Sequence, residues 1–187
     1  AMDRWVLASV QSLIRFVRAE MAEYRLYTVV PRLVGFIRGL TNWYVRLNRN
    51  RIKGLDGAAE ARVSLSTLHG VLLDLSRLMA PFTPFFSESL YQHLRRFMRV
   101  PTAAEAADPT AVGVAESVHY VPVPDYDAAR LDEAIERRVA CMQTAIELGR
   151  RVRERSLKLG VKTPVYEVVI VSPDATTIAD VTQLRHY

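Results

Sequence analysis

Cys141 is the only cysteine in 187 residues, which excludes an intrachain disulfide and a cysteine-rich metal centre and fits a reducing compartment. The four histidines, His69, His93, His119 and His186, stand far apart and lack metal-ligand spacing. G-x-G-x-x-G, the P-loop and G-x-S-x-G are all missing, and no carboxylate pair forms a recognisable catalytic motif. No apolar run approaches the roughly 18 residues of a membrane span. Arg4, Arg15 and Arg18 break the apolar positions near the N-terminus, which argues against a signal peptide. Ala1 reads as a cloning remnant or the cut edge of a longer chain. Together these absences argue against an autonomous enzyme and against a membrane protein.

What is present is a large apolar fraction with unevenly placed charge. Half of the residues are hydrophobic, enough for a substantial core, and the net charge is +5. Residues 1–53 carry ten Lys/Arg against three Asp/Glu, residues 54–149 eight against thirteen, and residues 150–187 seven against four. Cations thus gather at the ends of two segments. A phosphate-binding surface needs such clustering, although two solvated helix faces would produce it too.

Apolar periodicity predicts helices over about 3–24, 28–49, 58–79, 84–99 and 127–156, joined by short connections. Asp3 is placed as the N-cap of the first, and Pro31 falls in the first turn of the second, where a missing N–H costs little. Gly54-Leu55-Asp56-Gly57 is a turn, and Thr83-Pro84 restarts a helix after Ala80-Pro81-Phe82. The expected inward stripes are Leu65, Leu68, Leu72, Leu75 and Met79 in the third helix and Phe86, Leu90, Leu94 and Phe97 in the fourth. In the fifth helix the stripe is Leu131, Ile135, Val139, Met142, Ile146 and Gly149, the glycine permitting close approach of another element. Residues 101–116 read as a flexible insertion and 117–122 as extended. Val165–Val171 reads as a strand, followed by a short helix. The fold class is mainly α: a helical bundle over 1–160, then the start of a small α/β junction domain over 161–187.

The run Leu40-Thr41-Asn42-Trp43-Tyr44-Val45-Arg46-Leu47-Asn48-Arg49-Asn50-Arg51-Ile52-Lys53 turns an apolar helix into a basic one. At helical spacing Asn42, Arg46, Arg49 and Lys53 share one face, and Phe36, Leu40, Trp43 and Leu47 another. Amide and guanidinium donors beside a packed face suit a folded RNA, because arginine carries five donors in a rigid fork and stacks on bases. Trp43 reads as a core residue, whereas Tyr44 is open between core and stacking platform. A second basic run, Arg150-Arg151-Val152-Arg153-Glu154-Arg155-Ser156-Leu157-Lys158 with Lys162 beyond it, exceeds what a helix C-terminus needs to complement its dipole.

Several segments resemble the anticodon-binding domain of class I aminoacyl-tRNA synthetases. They are Met21-Ala22-Glu23-Tyr24-Arg25-Leu26-Tyr27-Thr28-Val29-Val30-Pro31-Arg32-Leu33, Leu40-Thr41-Asn42-Trp43-Tyr44-Val45-Arg46 and Leu78-Met79-Ala80-Pro81-Phe82-Thr83-Pro84-Phe85. Ser117-Val118-His119-Tyr120 and Met142-Gln143-Thr144-Ala145-Ile146-Glu147-Leu148-Gly149-Arg150 with Arg153 complete the set. The N-W-Y and A-P-F-T-P-F elements are shared with valyl and leucyl relatives. Their combination with Y-R-L-Y-T-V-V-P and M-Q-x-x-I-E-L-G-R points to the cytosolic isoleucyl version. The resemblance implies a cytoplasmic module that grips the anticodon stem-loop of isoleucine tRNA, within an enzyme that charges this tRNA using ATP and Mg²⁺. Asn42, Tyr44, Arg46, Arg49, Arg51, Lys53, Arg150, Arg153 and Arg155 are then the candidate tRNA contacts. The family's H-I-G-H and K-M-S-K-S signatures are missing, so no cofactor and no catalysis are expected in this chain alone. Implied partners are the tRNA, the remaining domains of the same synthetase and other synthetases. The alternative is a helical docking scaffold in a multi-synthetase assembly, its cations facing acidic partners.

Overall fold

A computed structural model describes residues 1–98, 102, 107–155 and 163–186. Packing divides the chain into two compact units, Ala1–Leu131 and Asp132–Tyr187. The boundary expected between 160 and 161 lies outside the described residues. The long helix expected to close the first domain packs against the final helix, inside the second unit.

In the first unit, α1 (Met2–Ala22) packs against α2 (Leu26–Gly39) and α4 (Ala58–Met79), which in turn packs against α3 (Arg49–Ile52) and α5 (Pro84–Leu94). The α1–α2 corner turns at Tyr24, with φ at 57°, and is locked by Glu20, which accepts from Arg25 Nη2 at 2.7 Å and from Thr28 Oγ1 at 2.6 Å. Val6, Val10, Leu13 and Val17 bury the inward stripe of α1. Its N-cap is Ala1, not Asp3: Asp3 lies within the first turn and is drawn to a different task, described below.

The inward face of α5 is turned one position from the expected stripe, and α4 buries Leu75 and Met79 of its expected stripe but not Leu65. In α4 the buried positions include Ser64, Val71, Leu75 and Leu78, while Leu65 is 47% exposed. In α5 they are Ser87 and Tyr91, while Phe86 is 60% and Phe97 82% exposed. Ser87 allows close approach, and the buried Tyr91 hydroxyl donates to Ala115 O at 3.0 Å and accepts from Gly113 N at 3.2 Å. Residues 111–116 are thereby fastened to the bundle, contrary to the flexible insertion expected there; residues 101 and 103–106 lie outside the described set. Ala115, Val118 and Val121 join Leu73, Ala80 and Tyr91 in one apolar cluster. The segment expected to be extended forms a 3₁₀ turn, Val118–Tyr120, held by Glu88 Oε2, which accepts from Ser117 Oγ at 2.8 Å and Val118 N at 2.9 Å.

In the second unit, α6 (Glu133–Arg155) buries Ile135, Val139 and Met142, as the periodicity predicts. It starts later than expected because Ala128–Arg130 forms a separate 3₁₀ turn. The Arg137 guanidinium grips the buried carboxylate of Asp180 on α7 (Ala175–Gln183) at 2.7 and 3.3 Å. Asp174 caps α7 by accepting from the Thr176 and Thr177 amides. Residues 165–171 are not a strand. Among the described residues no second extended segment pairs with them, so no ladder forms. Their side chains stay largely exposed beside a groove of about 730 Å³ lined also by Met142, Ile146, Gly149, Val181 and Leu184. Gly149 admits no close neighbour: a β-carbon there would meet nothing within 4 Å.

Candidate nucleic-acid interface

The helix expected to run unbroken to residue 49 changes character at Leu40. Residues Leu40–Val45 form a π turn, followed by two helical residues, a turn at Asn48, and α3. A π turn carries one more residue than an α turn, so positions beyond it rotate backwards relative to an ideal helix. The consequence is read directly from burial: Leu40, Tyr44 and Asn48, at steps of four, all face inward. In an uninterrupted α-helix each four-residue step drifts by about 40°, so Asn48 would stand about 80° from Leu40, at the margin of the face.

Tyr44, not Trp43, is therefore the anchor. It is 0% exposed, whereas Trp43 is half-buried on the flank. The Tyr44 hydroxyl donates to Asp3 Oδ1 at 2.7 Å and reaches Ser64 O at 3.2 Å. Burial, followed by the hydrogen bond to Asp3, pushes the Tyr44 hydroxyl pKa well above its ordinary value. A base cannot stack on a ring so enclosed, so the candidate contact at Tyr44 is corrected to a core residue. Asn48 is buried beneath it, donating from Nδ2 to Tyr44 O at 2.9 Å.

Arg51 is also committed inward. Its Nη2 donates to Asp3 Oδ2 at 2.8 Å and its Nη1 to Asn48 Oδ1 at 2.7 Å and Asp3 Oδ1 at 3.2 Å. Its Nε donates to Glu60 Oε2 at 2.9 Å. All three guanidinium nitrogens are occupied, and the hydrogen bond to Asp3 holds the Arg51 pKa above the usual arginine value. Burial raises the Asp3 pKa, but hydrogen bonds from Arg51 and Tyr44 together with the Arg51 charge bring it below the ordinary carboxylate value.

Asn42, Arg46, Arg49 and Lys53 remain exposed. The three cations make no hydrogen bond or ion pair with the described residues. Residues 38, 42 and 46 repeat the four-residue step two positions ahead of the inward trio 40, 44 and 48, which places them on the opposite side of the same turn. Arg38, exposed and at the head of that series, lies before the basic run and adds a further cation to this face, four residues ahead of Asn42.

In the second unit, Arg150, Arg151 and Arg155 are exposed near the end of α6. Arg153 is half-buried and donates from Nη2 to Thr163 O, so part of its fork serves the unit itself. Lys158 and Lys162 lie outside the described residues. Among the described residues no group of three or more His, Cys, Asp or Glu converges on a common point, and no helix is long and apolar enough to cross a membrane.

A mainly α bundle with an exposed Asn/Arg/Lys face on a widened helical turn offers the donors and charge that a nucleic acid would need. Residues 3–169 match the family described as the anticodon-binding domain of tRNA ligase, and the chain belongs to that family. It is similar over its whole length to a segment of cytoplasmic isoleucine–tRNA ligases. Identity is 46% over 186 residues with that of Schizosaccharomyces pombe and 47% over 187 residues with that of Arabidopsis thaliana, each match covering 100% of this chain. With the Mus musculus ligase identity is 44% over 185 residues, covering 99% of this chain. The chain spans only 14–17% of the length of these relatives.

Proposed function

We propose that this chain grips the anticodon stem-loop of an isoleucine tRNA in the cytoplasm, as part of an isoleucine–tRNA ligase. The observation that carries the reading is the unpartnered cationic face beside the π turn: Arg38, Arg46, Arg49 and Lys53 offer charge to phosphates, and Asn42 offers an amide to a base edge. Arg150 and Arg155 add backbone contacts from the second unit, with a smaller share from Arg153. Attachment of isoleucine, with ATP and Mg²⁺, belongs in this proposal to parts of the ligase beyond these residues.

Affinity for an isoleucine tRNA transcript is expected to fall steeply with salt, since each neutralised phosphate releases counterions. Changing Arg46 and Arg49 together to Ala should weaken binding and reduce the slope of log K against log salt by roughly 0.7–0.9 for each phosphate no longer neutralised. An unchanged slope refutes the role given to these arginines. Equal affinity for unrelated tRNAs refutes anticodon reading and leaves a non-specific grip.

A further inference from the structure

Three stretches of the chain, the start of α1, the π turn with α3, and α4, are tied together around Asp3 and the Tyr44 hydroxyl. Tyr44 reaches Asp3 from the π turn, Arg51 from α3, and Ser64 of α4 lies against the same tyrosine hydroxyl. Asn48 ties Tyr44 to Arg51, and Glu60 ties Arg51 to α4. The backbone from 44 to 51 is thus pinned at three residues whose side chains point inward. Arg46 and Arg49 lie between those pins and point outward without partners among the described residues.

We propose that Asp3, Tyr44 and Arg51 form a positioning clamp that presents Arg46 and Arg49 to RNA as a pre-ordered pair, so that Asp3, a carboxylate, strengthens the binding of a polyanion. The inference rests on the reading of this face as RNA-binding. Its physical basis is pre-organisation: an arginine on a loose turn loses conformational freedom when it meets a phosphate, whereas one on a pinned turn has already lost it. Arg51 is a positioning residue here, since all three of its nitrogens are engaged within the protein.

Simple electrostatics and the clamp predict opposite signs. Asp3→Asn removes a negative charge from a cationic neighbourhood and frees the Arg51 guanidinium, so charge alone would tighten RNA binding. The clamp predicts weakening by roughly threefold or more, within the range typical of coupled neighbours. Arg51→Lys keeps every positive charge but loses the fork. Under the clamp it weakens binding and flattens the salt slope although no cation has been removed, which a loss of stability alone would not do while the chain stays folded. The measurement is binding of the whole chain to an isoleucine tRNA transcript across a salt series, below the melting temperature of every variant. Arg51→Lys carries the test if Asp3→Asn melts too low. Combining either clamp variant with Arg46→Ala should cost less than the product of the separate effects. Tightening or no change in the clamp variants, or full multiplicativity with Arg46→Ala, overturns the clamp while Arg46→Ala still weakens binding. If neither Arg46→Ala nor Arg49→Ala changes binding, the RNA face lies elsewhere, and both the reading of the face and the clamp fall.

Discussion

Gly57 precedes α4 with φ at 100°, a conformation strained for any residue with a β-carbon, whereas Gly149 lies within α6 with open space where a β-carbon would sit. The two should respond in opposite directions to the same substitution. Gly149→Ala is expected to stabilise the chain by about 0.8–1 kcal/mol through helix propensity. Gly57→Ala is expected to destabilise it by about 1 kcal/mol or more. Urea unfolding of the two variants beside the parent chain checks both signs. Asp3 and Tyr44 carry the same lesson. An acidic residue near a helix start looks like a cap, and a tyrosine beside a tryptophan looks like the more exposed of the two. Here partners from α3 and α4 recruit the carboxylate and enclose the phenol.

At the scale of elements, helix positions were legible and helix faces only in part: α1 and α6 bury the expected positions, α5 does not. Apolar periodicity set the extents of α1, α4 and α5 to within a few residues, but α5 presents the neighbouring stripe to the core and α4 buries only Leu75 and Met79 of its expected one. The inward positions include Ser64, Ser76, Ser87 and Tyr91, which a hydrophobicity pattern counts as outward. Their polar atoms are satisfied locally: Ser76 Oγ donates to Leu73 O at 2.7 Å, and Tyr91 fastens residues 113–115. Tyr91→Phe leaves a buried carbonyl and a half-buried amide unpaired and should cost about 1–3 kcal/mol, read as a shift in urea midpoint with the helix signal intact. The π turn belongs to the same scale. A one-residue widening keeps Leu40, Tyr44 and Asn48 together on the inward side.

For the molecule as a whole, several carboxylates hold pKa values below their ordinary range. Hydrogen bonds from Arg25 and Thr28 bring Glu20 to about 2, and the bond from Arg137 lowers Asp180. At Asp3 and Glu88 burial pulls upward but hydrogen bonding wins. Groups whose folded pKa is depressed bind fewer protons than in the unfolded chain. Their contribution is therefore complete above the unfolded carboxylate range of about 4 and is lost as pH falls through the folded values. Asp74, whose pKa burial raises, acts in the opposite sense, outnumbered by the others. The melting temperature should be nearly level from pH 7 to about 5 and fall below about 4. In Asp180→Asn the acid fall should be shallower, as differential scanning calorimetry across that range would show.

The sequence by itself determined the helical class, the order of the long helices, the turn at 54–57 and the chemistry of the basic stripe, because periodicity and residue type are local properties. The family motifs lay in the same local signals. Only the tertiary structure decided which positions of α4 and α5 turned inward, that 165–171 formed no strand among the described residues, and which polar residues of the stripe faced solvent. Those outcomes depend on partners distant in sequence. Tyr44 and Arg51 turned inward because Asp3, more than forty positions earlier, offered a carboxylate there. Arg46 and Arg49, of the same chemical type and only a few positions away, were left facing solvent.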